Sequence, residues 1–288
     1  MLSCWIMTIE ASSAGPHRPT WWVRRLTAPN PSLETLAGTN TYLVGGGPDG
    51  CVVIDPGPAD HGHLDRVRAL GARRGGVRLI LLTHSHHDHV AGAALLRDRT
   101  GARILAFSRE RVPEADSLLA DQAVISLGDQ SLVALHTPGH SADHLCFHLP
   151  QRGVLFAGDL VAGTGTVFIA PPDGDLAQYL ASLRLVLKLS LRRVFPGHGP
   201  TVTHPARLFR EYLVHRAERE VQTLAALSRD GGAATMDDLL DLVYKDVEPG
   251  RRPLAALQMQ ALLRKLEEAG QARRERLSDG GECWRRIR

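Results

Sequence analysis

A cluster of polar residues in the stretch LTHSHHDHVAGAAL, which begins at position 82, has the residue types of a metal site. Zinc binds imidazole nitrogen and carboxylate oxygen. Side chains two residues apart in an extended chain point the same way, so His84 and His86 can reach one ion from a strand end. Asp88 and His89 lie where the chain turns into a helix, and suit a second ion. His87 is out of phase with the first two histidines, and we expect it to face solvent without binding metal.

Further ligands must come from elsewhere, because so short a segment cannot hold an ion well by itself. Three later residues follow apolar strands: His140 in TPGHS, Asp159 in VLFAGD and His198 in FPGHGP. Loops at strand ends are held in place by the scaffold, and a carboxylate after so apolar a strand is costly to bury unpaired. Each residue alone is also typical of a turn or helix cap. We interpret His136 and His148 as structural.

The composition fits an ordinary globular protein: 288 residues, 43% hydrophobic and 23% charged, with a net charge of +3. This charge is too small to indicate nucleic-acid binding by the whole chain. The four cysteines are far apart and form no C-x-x-C pair, which argues against a cysteine zinc site. With no recognisable export signal and no run of ~20 apolar residues, we expect a reduced, cytoplasmic protein without membrane association.

Strand-like and helix-like segments alternate in two halves as far as Pro205. The first half contains the strands TWWVRRLTA, TNTYLVGGG, CVVIDPG, VRLILLTH and RILAF, and the helices GHLDRVRALGARRG and VAGAALLRDRTG. The second half contains the strands SLVALHTPGHS, HLCFHLP, GVLFAGDLV and RRVFPGHGP, and the helix DLAQYLASLRLVLKLS. This alternation predicts an α/β fold with helices outside sheets. Residues 1–20 are rich in Ser, Gly and Pro, which predicts a loose tail.

The segment after Pro205 has a different pattern. A polar helix at 207–228, ended by Asp230, Gly231 and Gly232, precedes the helices TMDDLLDLVYKDV and LAALQMQALLRKLEEAG. In the second of these we expect an inward face of Leu254, Leu257, Ala261 and Leu266. Two Arg-rich strands then surround the turn SDGGE. Helix, helix and hairpin is the order of a winged helix, so we predict a domain at 1–205 and a linker helix with winged helix at 206–288.

The metal-type motifs resemble those of a known family. THSHHDH matches the H-x-H-x-D-H signature of the metallo-β-lactamase superfamily, and VIDPG, TPGHS, GD and PGHG match its other motifs in the same order. The resemblance covers about 23–202. It implies a four-layer αββα metallo-β-lactamase sandwich with a two-metal site at one sheet edge, next to the small C-terminal winged-helix domain.

The resemblance also implies a ligand set. One zinc ion would be held by His84, His86 and His140, the other by Asp88, His89 and His198, with Asp159 bridging the two. No cysteine replaces a ligand, so Mn²⁺ or Fe²⁺ could take the place of Zn²⁺. Asp55 in VIDPG would orient a ligand without touching metal, unless it is a plain turn carboxylate. His144 is a second candidate for that role, or else a packed strand histidine.

The reaction that the resemblance implies is hydrolysis. Two ions about 3.5–4 Å apart would bind a shared hydroxide as the nucleophile, and Asp88 would accept a hydrogen bond from it and fix its direction. The metal motifs do not distinguish thioesters, lactams, esters and phosphodiesters.

Other segments narrow the family. NPSLETLAGTNTYLVGGG, GDLVAGTGTVF, DLAQYLASL, YKDVEP and LLRKLEEAGQ resemble the beta-lactamase-like protein 2 branch. That branch includes an endoribonuclease acting on single-stranded RNA, and similar proteins are thioesterases that release polyketides from carrier proteins. The resemblance therefore implies an RNA phosphodiesterase first. A thioester or ester hydrolase of acyl-carrier or hydroxyacylglutathione type is the alternative, and a non-catalytic nucleic-acid-binding protein is third.

The C-terminal region bears on the partner. Residues 251–288 contain ten Lys and Arg against five Asp and Glu, a modest basic patch that fits single-stranded RNA, a solvated surface or a homodimer contact. Stacking aromatics, which single strands favour, are scarce in this region, where Trp284 is the only tryptophan. Tyr179 either lines a substrate pocket or belongs to the core of an amphipathic helix.

Overall fold

The structure is a computed structural model that describes residues 23–228, 233–278 and 280–287. The predicted tail at 1–20 and the helix-ending residues 230–232 lie outside the described residues. By their contacts the residues form two compact units. The first unit runs to Pro138 and includes Asp143–Val167 and Lys188–Pro205. The second contains Gly139–Ala142, Phe168–Leu187 and the chain from Ala206.

The first unit begins with a six-stranded sheet in sequence order. Its strands are β1 (Val23–Thr27), β2 (Asn40–Gly45), β3 (Cys51–Ile54), β4 (Val77–Leu81), β5 (Arg103–Ala106) and β6 (Ser117–Leu118). The pairs β1–β2 and β2–β3 are antiparallel, and the pairs from β3 to β6 are parallel. Parallel neighbours need crossovers, and helices α1 (His61–Ala72), α2 (His87–Val90) and α3 (Ala93–Thr100) lie in these connections.

A second, five-stranded sheet follows in the same unit. Its strands are β7 (Val124–Leu127), β8 (Gln130–His136), β9 (Leu145–Leu149), β10 (Val154–Gly158) and β11 (Arg193–Pro196), in the order β11-β10-β9-β8-β7. Only the pair β10–β11 is parallel. The strands β6 and β7 are additions to those that the sequence predicted.

The two sheets pack face to face around the main apolar core. Tyr42 and Leu81 of the first sheet belong to one buried cluster with Phe147 and Phe156 of the second. The ring centroids of Tyr42 and Phe156 are 5.4 Å apart. A second cluster covers the other face of the first sheet, where Ile80 packs with apolar residues of α1 and α3. Strand β4 is therefore buried on both faces, as its continuous apolar sequence predicted.

The second unit contains the C-terminal elements and helix α4 (Leu176–Leu187). In chain order these are α5 (Pro205–Ala226), β12 (Ala233–Thr235), α6 (Met236–Val243), α7 (Arg252–Glu268), β13 (Ala272–Arg276) and β14 (Glu282–Arg286). The strands form a small antiparallel sheet in the order β12-β14-β13. Thr235 begins α6 with a capping box to Asp238. The observed sheets and helices agree with the predicted α/β fold, and the C-terminal elements include the helix, helix and hairpin predicted for a winged helix.

The predicted inward face of α7 is partly wrong. Ala261 and Leu266 are buried, but Leu257 is 36% exposed and Leu254 is only half-buried. The buried stripe includes Met259 instead. Apolar residues surround most of this helix, so the 3.6-residue period by itself does not select the buried face.

Within the described residues, the helices are all too short or too polar to cross a membrane.

Candidate metal centre

The site residues of the first unit follow strand ends. Asp55 comes directly after β3, Asp159 directly after β10, and His198 two residues after β11. The pairs β3–β4 and β10–β11 are parallel, so the carboxyl ends of neighbouring strands meet at one sheet edge. His84 lies three residues after β4 and is buried at this edge. The fold thereby gathers polar groups that are far apart in sequence.

Four ligand-type side chains converge on one point. The Nε2 atom of His89 lies 3.3 Å from Nε2 of His198, 3.3 Å from Asp88 Oδ2 and 3.5 Å from Asp159 Oδ1. The Nε2 atom of His198 lies 3.3 Å from both Asp88 Oδ2 and Asp159 Oδ2. Two imidazole nitrogens and two carboxylates that face one another at these distances form a suitable N/O donor set for a divalent cation.

His84 and His86 lie beside this group. The ring centroid of His84 is 4.5 Å from that of His86 and 4.3 Å from that of His89. Ligand atoms of His84, His89 and Asp159 lie within 4.8 Å of one another. His86 has extended dihedral angles, φ −64° and ψ 139°, in agreement with the alternation inferred from sequence. His87 begins α2 and is exposed, as predicted.

His140 belongs to the second unit, in the segment Gly139–Ala142. Its Nδ1 atom is 2.8 Å from the carbonyl oxygen of Phe168. A backbone carbonyl bound to one imidazole nitrogen fixes the tautomer and leaves the other nitrogen as an acceptor. That is the form a metal ligand requires, and the assignment of His140 to an ion with His84 and His86 stays a prediction.

Asp55 has the contacts of an orienting carboxylate. Its Oδ1 atom accepts a hydrogen bond from the backbone N–H of Thr83 at 2.8 Å, and its Oδ2 atom accepts one from the Thr83 hydroxyl at 2.7 Å. Nδ1 of His89 lies 2.9 Å from the same Oδ2 atom. When His89 donates there, its Nε2 atom is left as an acceptor directed at the cluster. This geometry agrees with the role that the family resemblance implies.

His144 is fully buried and lies one residue before β9. The backbone N–H of Asp159 donates a hydrogen bond to Nε2 of His144 at 3.1 Å. The Nδ1 atom of His144 is 2.9 Å from the Thr137 hydroxyl. These contacts favour the orienting role over that of a packed strand histidine, because His144 fixes the backbone of Asp159.

Sequence reasoning missed Thr39. Its hydroxyl donates a hydrogen bond to Asp88 Oδ2 at 3.0 Å, although the two residues are 49 positions apart. The side-chain amide of Asn30 in turn donates to the Thr39 hydroxyl at 3.0 Å. Thr39 is fully buried. The segment LAGTNTYL contributed only to the resemblance, and a threonine before a strand has no pattern that indicates such a contact.

Two glycines allow the strand ends to approach the site. A Cβ atom at Gly197 would clash with Asp159 Oδ1 and would lie 2.8 Å from Cε1 of His89. A Cβ atom at Gly158, whose φ is +46°, would lie 2.7 Å from Nε2 of His144. The glycines of the GD and PGHG motifs are therefore required by close packing against ligand-type side chains.

The charges of the cluster stabilise one another. Burial disfavours the ionised form of Asp88, but His89 and His198 outweigh it and lower the pKa of that carboxyl to about 2. Burial of Asp159 is likewise outweighed, so its pKa lies well below the usual value. Burial would lower the pKa of His198, yet Asp159 and Asp88 raise it to about 9. The carboxylates thus attract positive charge to the place where a cation would bind.

Tyr179 does not line an open pocket. Its side chain is fully buried, with 0% exposure, and the guanidinium carbon of Arg216 lies 5.5 Å from its ring centroid. A side chain without exposed surface cannot contact a substrate in this conformation. This burial favours the alternative interpretation, in which Tyr179 is a core residue of an amphipathic helix.

Family comparison agrees with the fold and the motifs. Residues 35–198 match the metallo-beta-lactamase superfamily model, and residues 235–283 match the beta-lactamase associated winged helix domain. The chain belongs to the metallo-beta-lactamase superfamily, whose members are generally hydrolases.

Individual relatives extend this result. A beta-lactamase-like protein 2 homolog of Drosophila melanogaster is 33% identical, over 91% of this chain and 93% of the relative. An atrochrysone carboxyl ACP thioesterase of Aspergillus fumigatus is 30% identical, over 77% of this chain and 73% of the relative. A metallo-beta-lactamase family protein from Thermus thermophilus shares the fold with a TM-score of 0.75 and 23% identity, over 92% of this chain and 98% of that one.

Proposed function

We propose that this chain is a two-metal hydrolase that cuts phosphodiester bonds of single-stranded RNA. The observation that supports a metal centre is the convergence of His89, His198, Asp88 and Asp159 at 3.3–3.5 Å. Bound divalent ions would supply a water of lowered pKa and polarise the scissile bond. The donor set consists of nitrogen and oxygen, so zinc fits, as do manganese and iron.

Each side chain then has a role within the proposal. His84, His86 and His140 would hold one ion, Asp88, His89 and His198 the other, and Asp159 both. Asp88 would also orient the attacking water, because its carboxylate is ionised at neutral pH and its Oδ2 atom is fixed by Thr39. Asp55 and His144 would orient His89 and Asp159 through the hydrogen bonds described above.

The hairpin of the winged helix is the part of the chain that would attract the phosphate backbone. Of its arginines, Arg273 and Arg285 pair with Glu275, and Arg274 pairs with Glu282. Among the described residues, Arg276 and Arg286 form no ion pair. Trp284 is only 8% exposed and donates to Glu267, so it offers no stacking surface. The RNA contact would therefore be electrostatic and weakened by salt.

The second candidate is an acyl thioester hydrolase. The observation that favours it is the 30% identity with a carrier-protein thioesterase of Aspergillus fumigatus. The same metal centre suits both reactions, because each needs an activated water and a polarised oxygen.

Two variants test the proposal on a single-stranded RNA and a small acyl thioester, with metal analysis of the same preparations. Asp88→Ala should abolish hydrolysis of the active substrate and leave the circular dichroism spectrum unchanged. Arg276→Glu with Arg286→Glu should lower RNA cleavage about ten-fold at low salt and leave thioester cleavage unchanged. Exposed Arg68, which forms an i,i+3 pair with Asp65 in the first unit, offers the matched control Arg68→Glu.

The outcomes separate the two functions. Full activity of Asp88→Ala would contradict the two-metal mechanism. Cleavage of the thioester alone by the unaltered protein would replace the RNA proposal with the second candidate. Equal losses on both substrates in the hairpin variant would remove the case for the hairpin as an RNA contact.

A further inference from the structure

Helix α5 carries exposed apolar side chains on one side. Val214 is 55% exposed and Val221 is 67% exposed. They are seven residues apart, so they lie on the same face. A single exposed valine is normal on a protein surface, but β-branched residues have low helix propensity. Two exposed valines in one row on a helix face do not stabilise the helix by their own propensity. Their presence there indicates that they pack against a partner.

Two opposite charges flank Val214 on the same face. Arg210 lies four residues before it and Glu218 four residues after it. Within the described part of the chain, neither forms an ion pair. The neighbouring Arg207 differs, because its Nε atom donates to Glu211 at 2.7 Å. The face therefore presents an arginine and a glutamate, symmetrically placed around a valine, without ion-pair partners of their own in that part of the chain.

This arrangement is complementary to itself. If two copies of α5 pack antiparallel about a twofold axis at Val214, Arg210 of each copy faces Glu218 of the other. A twofold contact repeats every pair, so two ion pairs form around one central valine contact. Arg207 of each copy then faces Val221 of the other, and its aliphatic stem can cover that valine while Glu211 holds its guanidinium. A shallow depression of about 360 Å³ lies along this face and is lined by Arg207, Arg210, Glu211, Val214, His215 and Glu218.

We propose that the chain forms a symmetric homodimer through α5, with Val214 at the twofold axis and Arg210 paired with Glu218 of the second copy. The occupant of this face is a second copy of the chain, because the order Arg210, Val214, Glu218 is complementary in charge to the same order running antiparallel. A parallel pair would place arginine against arginine. The inference concerns assembly, and it does not depend on the substrate or the metal.

The test is sedimentation velocity of the full chain over a range of concentrations. The unaltered protein should sediment as a dimer. Arg210→Glu and Glu218→Arg should each raise the dimer dissociation constant at least about ten-fold, because each places two like-charged pairs at the contact. Arg66→Glu is the matched control, since Arg66 is exposed on helix α1 and outside the contact; it should leave the dissociation constant unchanged.

Mixing the two variants is the decisive measurement. In a mixed dimer, the Arg210→Glu copy has glutamate at both positions and the Glu218→Arg copy has arginine at both, so each of the two pairs again joins opposite charges and the mixture should dimerise like the unaltered protein. The double variant, with Arg210→Glu and Glu218→Arg in one chain, also makes both pairs opposite and should restore the dimer. A monomeric unaltered protein, or single variants that dimerise as well as it does, would overturn the proposal. A double variant that stays monomeric would overturn the antiparallel register.

Discussion

At the scale of single residues, Asp88 depends on a hydrogen-bond relay through Asn30 and Thr39 that is separate from the histidines. Asn30 donates to the Thr39 hydroxyl, and that hydroxyl donates to Asp88 Oδ2. The relay holds Oδ2 in place, and Oδ2 is the carboxylate oxygen of Asp88 that faces the Nε2 atoms of His89 and His198. Residues that hold a metal ligand from behind affect activity almost as strongly as the ligand itself.

Replacement of Thr39 by valine tests this relay. Thr39→Val keeps the shape of the side chain and removes the hydroxyl, so Asp88 loses a donor and Asn30 loses an acceptor. We expect metal affinity or turnover to fall about ten- to hundred-fold. Thr39→Ser retains the hydroxyl and should keep most of the activity. Metal titration and steady-state kinetics on both variants check this, and equal activities for valine and serine would rule out a role for the hydroxyl.

The sequence predicted ligand residues better than their supports. The candidate ligands His84, Asp88 and His89 lie in one short segment whose spacing is itself informative. Thr39 is different, since its contact joins positions 49 apart and no local pattern marks it. His144 could be named as a candidate because it is a histidine near the TPGHS motif, but its hydrogen bond from Asp159 depends on the pairing of β9 with β10.

At the scale of elements, apolar runs predicted nine strands of the first unit, and two edge strands were missed. Strand β6 has only two residues, Ser117 and Leu118. Strand β7 contains Val124, which is 53% exposed. Edge strands bury little surface, and their sequences therefore lack the apolar runs of central strands. Three strands that precede site residues, β3, β4 and β10, are central and apolar, and the edge strand β11 is marked by the PGHG motif that follows it, which is why the site edge could be predicted.

The approach of β10 to β11 sets the distance between Asp159 and His198. The N–H group of Gly197 donates to the Gly158 carbonyl at 2.7 Å, directly at the strand ends. No side chain fits at Gly197, because Asp159 and His89 occupy the space a Cβ atom would need. The absence of a side chain at Gly197 therefore allows the ends of β10 and β11 to bring Asp159 and His198 together.

Gly197→Ala tests this role of the strand ends. The added methyl group would push Asp159 and His89 apart, so we expect the free energy of unfolding to fall by about 1–3 kcal/mol and metal affinity to fall at least about ten-fold. Gly250→Ala is the matched control, since a Cβ atom there meets open space. Denaturant unfolding and metal titration report the two effects. If Gly197→Ala binds metal like the unaltered protein, the close approach does not set the ligand geometry.

At the scale of the whole molecule, the two units differ in how they are stabilised. The first unit contains two sheets around a common core and a cluster of buried acidic and imidazole groups at one edge. The second unit contains a small sheet and helices, and several of its ion pairs, such as Arg252 with Asp241, lie at exposed positions. Exposed pairs contribute little to stability. Buried charges that face one another are costly unless a counter-charge neutralises them.

Removal of metal should therefore destabilise the first unit, which contains all the proposed ligands except His140. Binding at a thousand-fold excess over the dissociation constant adds about 4 kcal/mol to the folded state, so the first unit should melt about 10 °C higher with zinc than with a chelator. Differential scanning calorimetry with chelator, and then with zinc restored, measures the shift. The zinc content of the same samples should fall with the chelator and recover when zinc is restored, in step with the melting temperature. Asp159→Asn is the control, because it removes the carboxylate charge between His89 and His198 and should abolish the zinc-dependent shift. Identical melting curves with and without zinc would show that the cluster does not bind the ion and is stabilised by the ion pairs between its histidines and carboxylates.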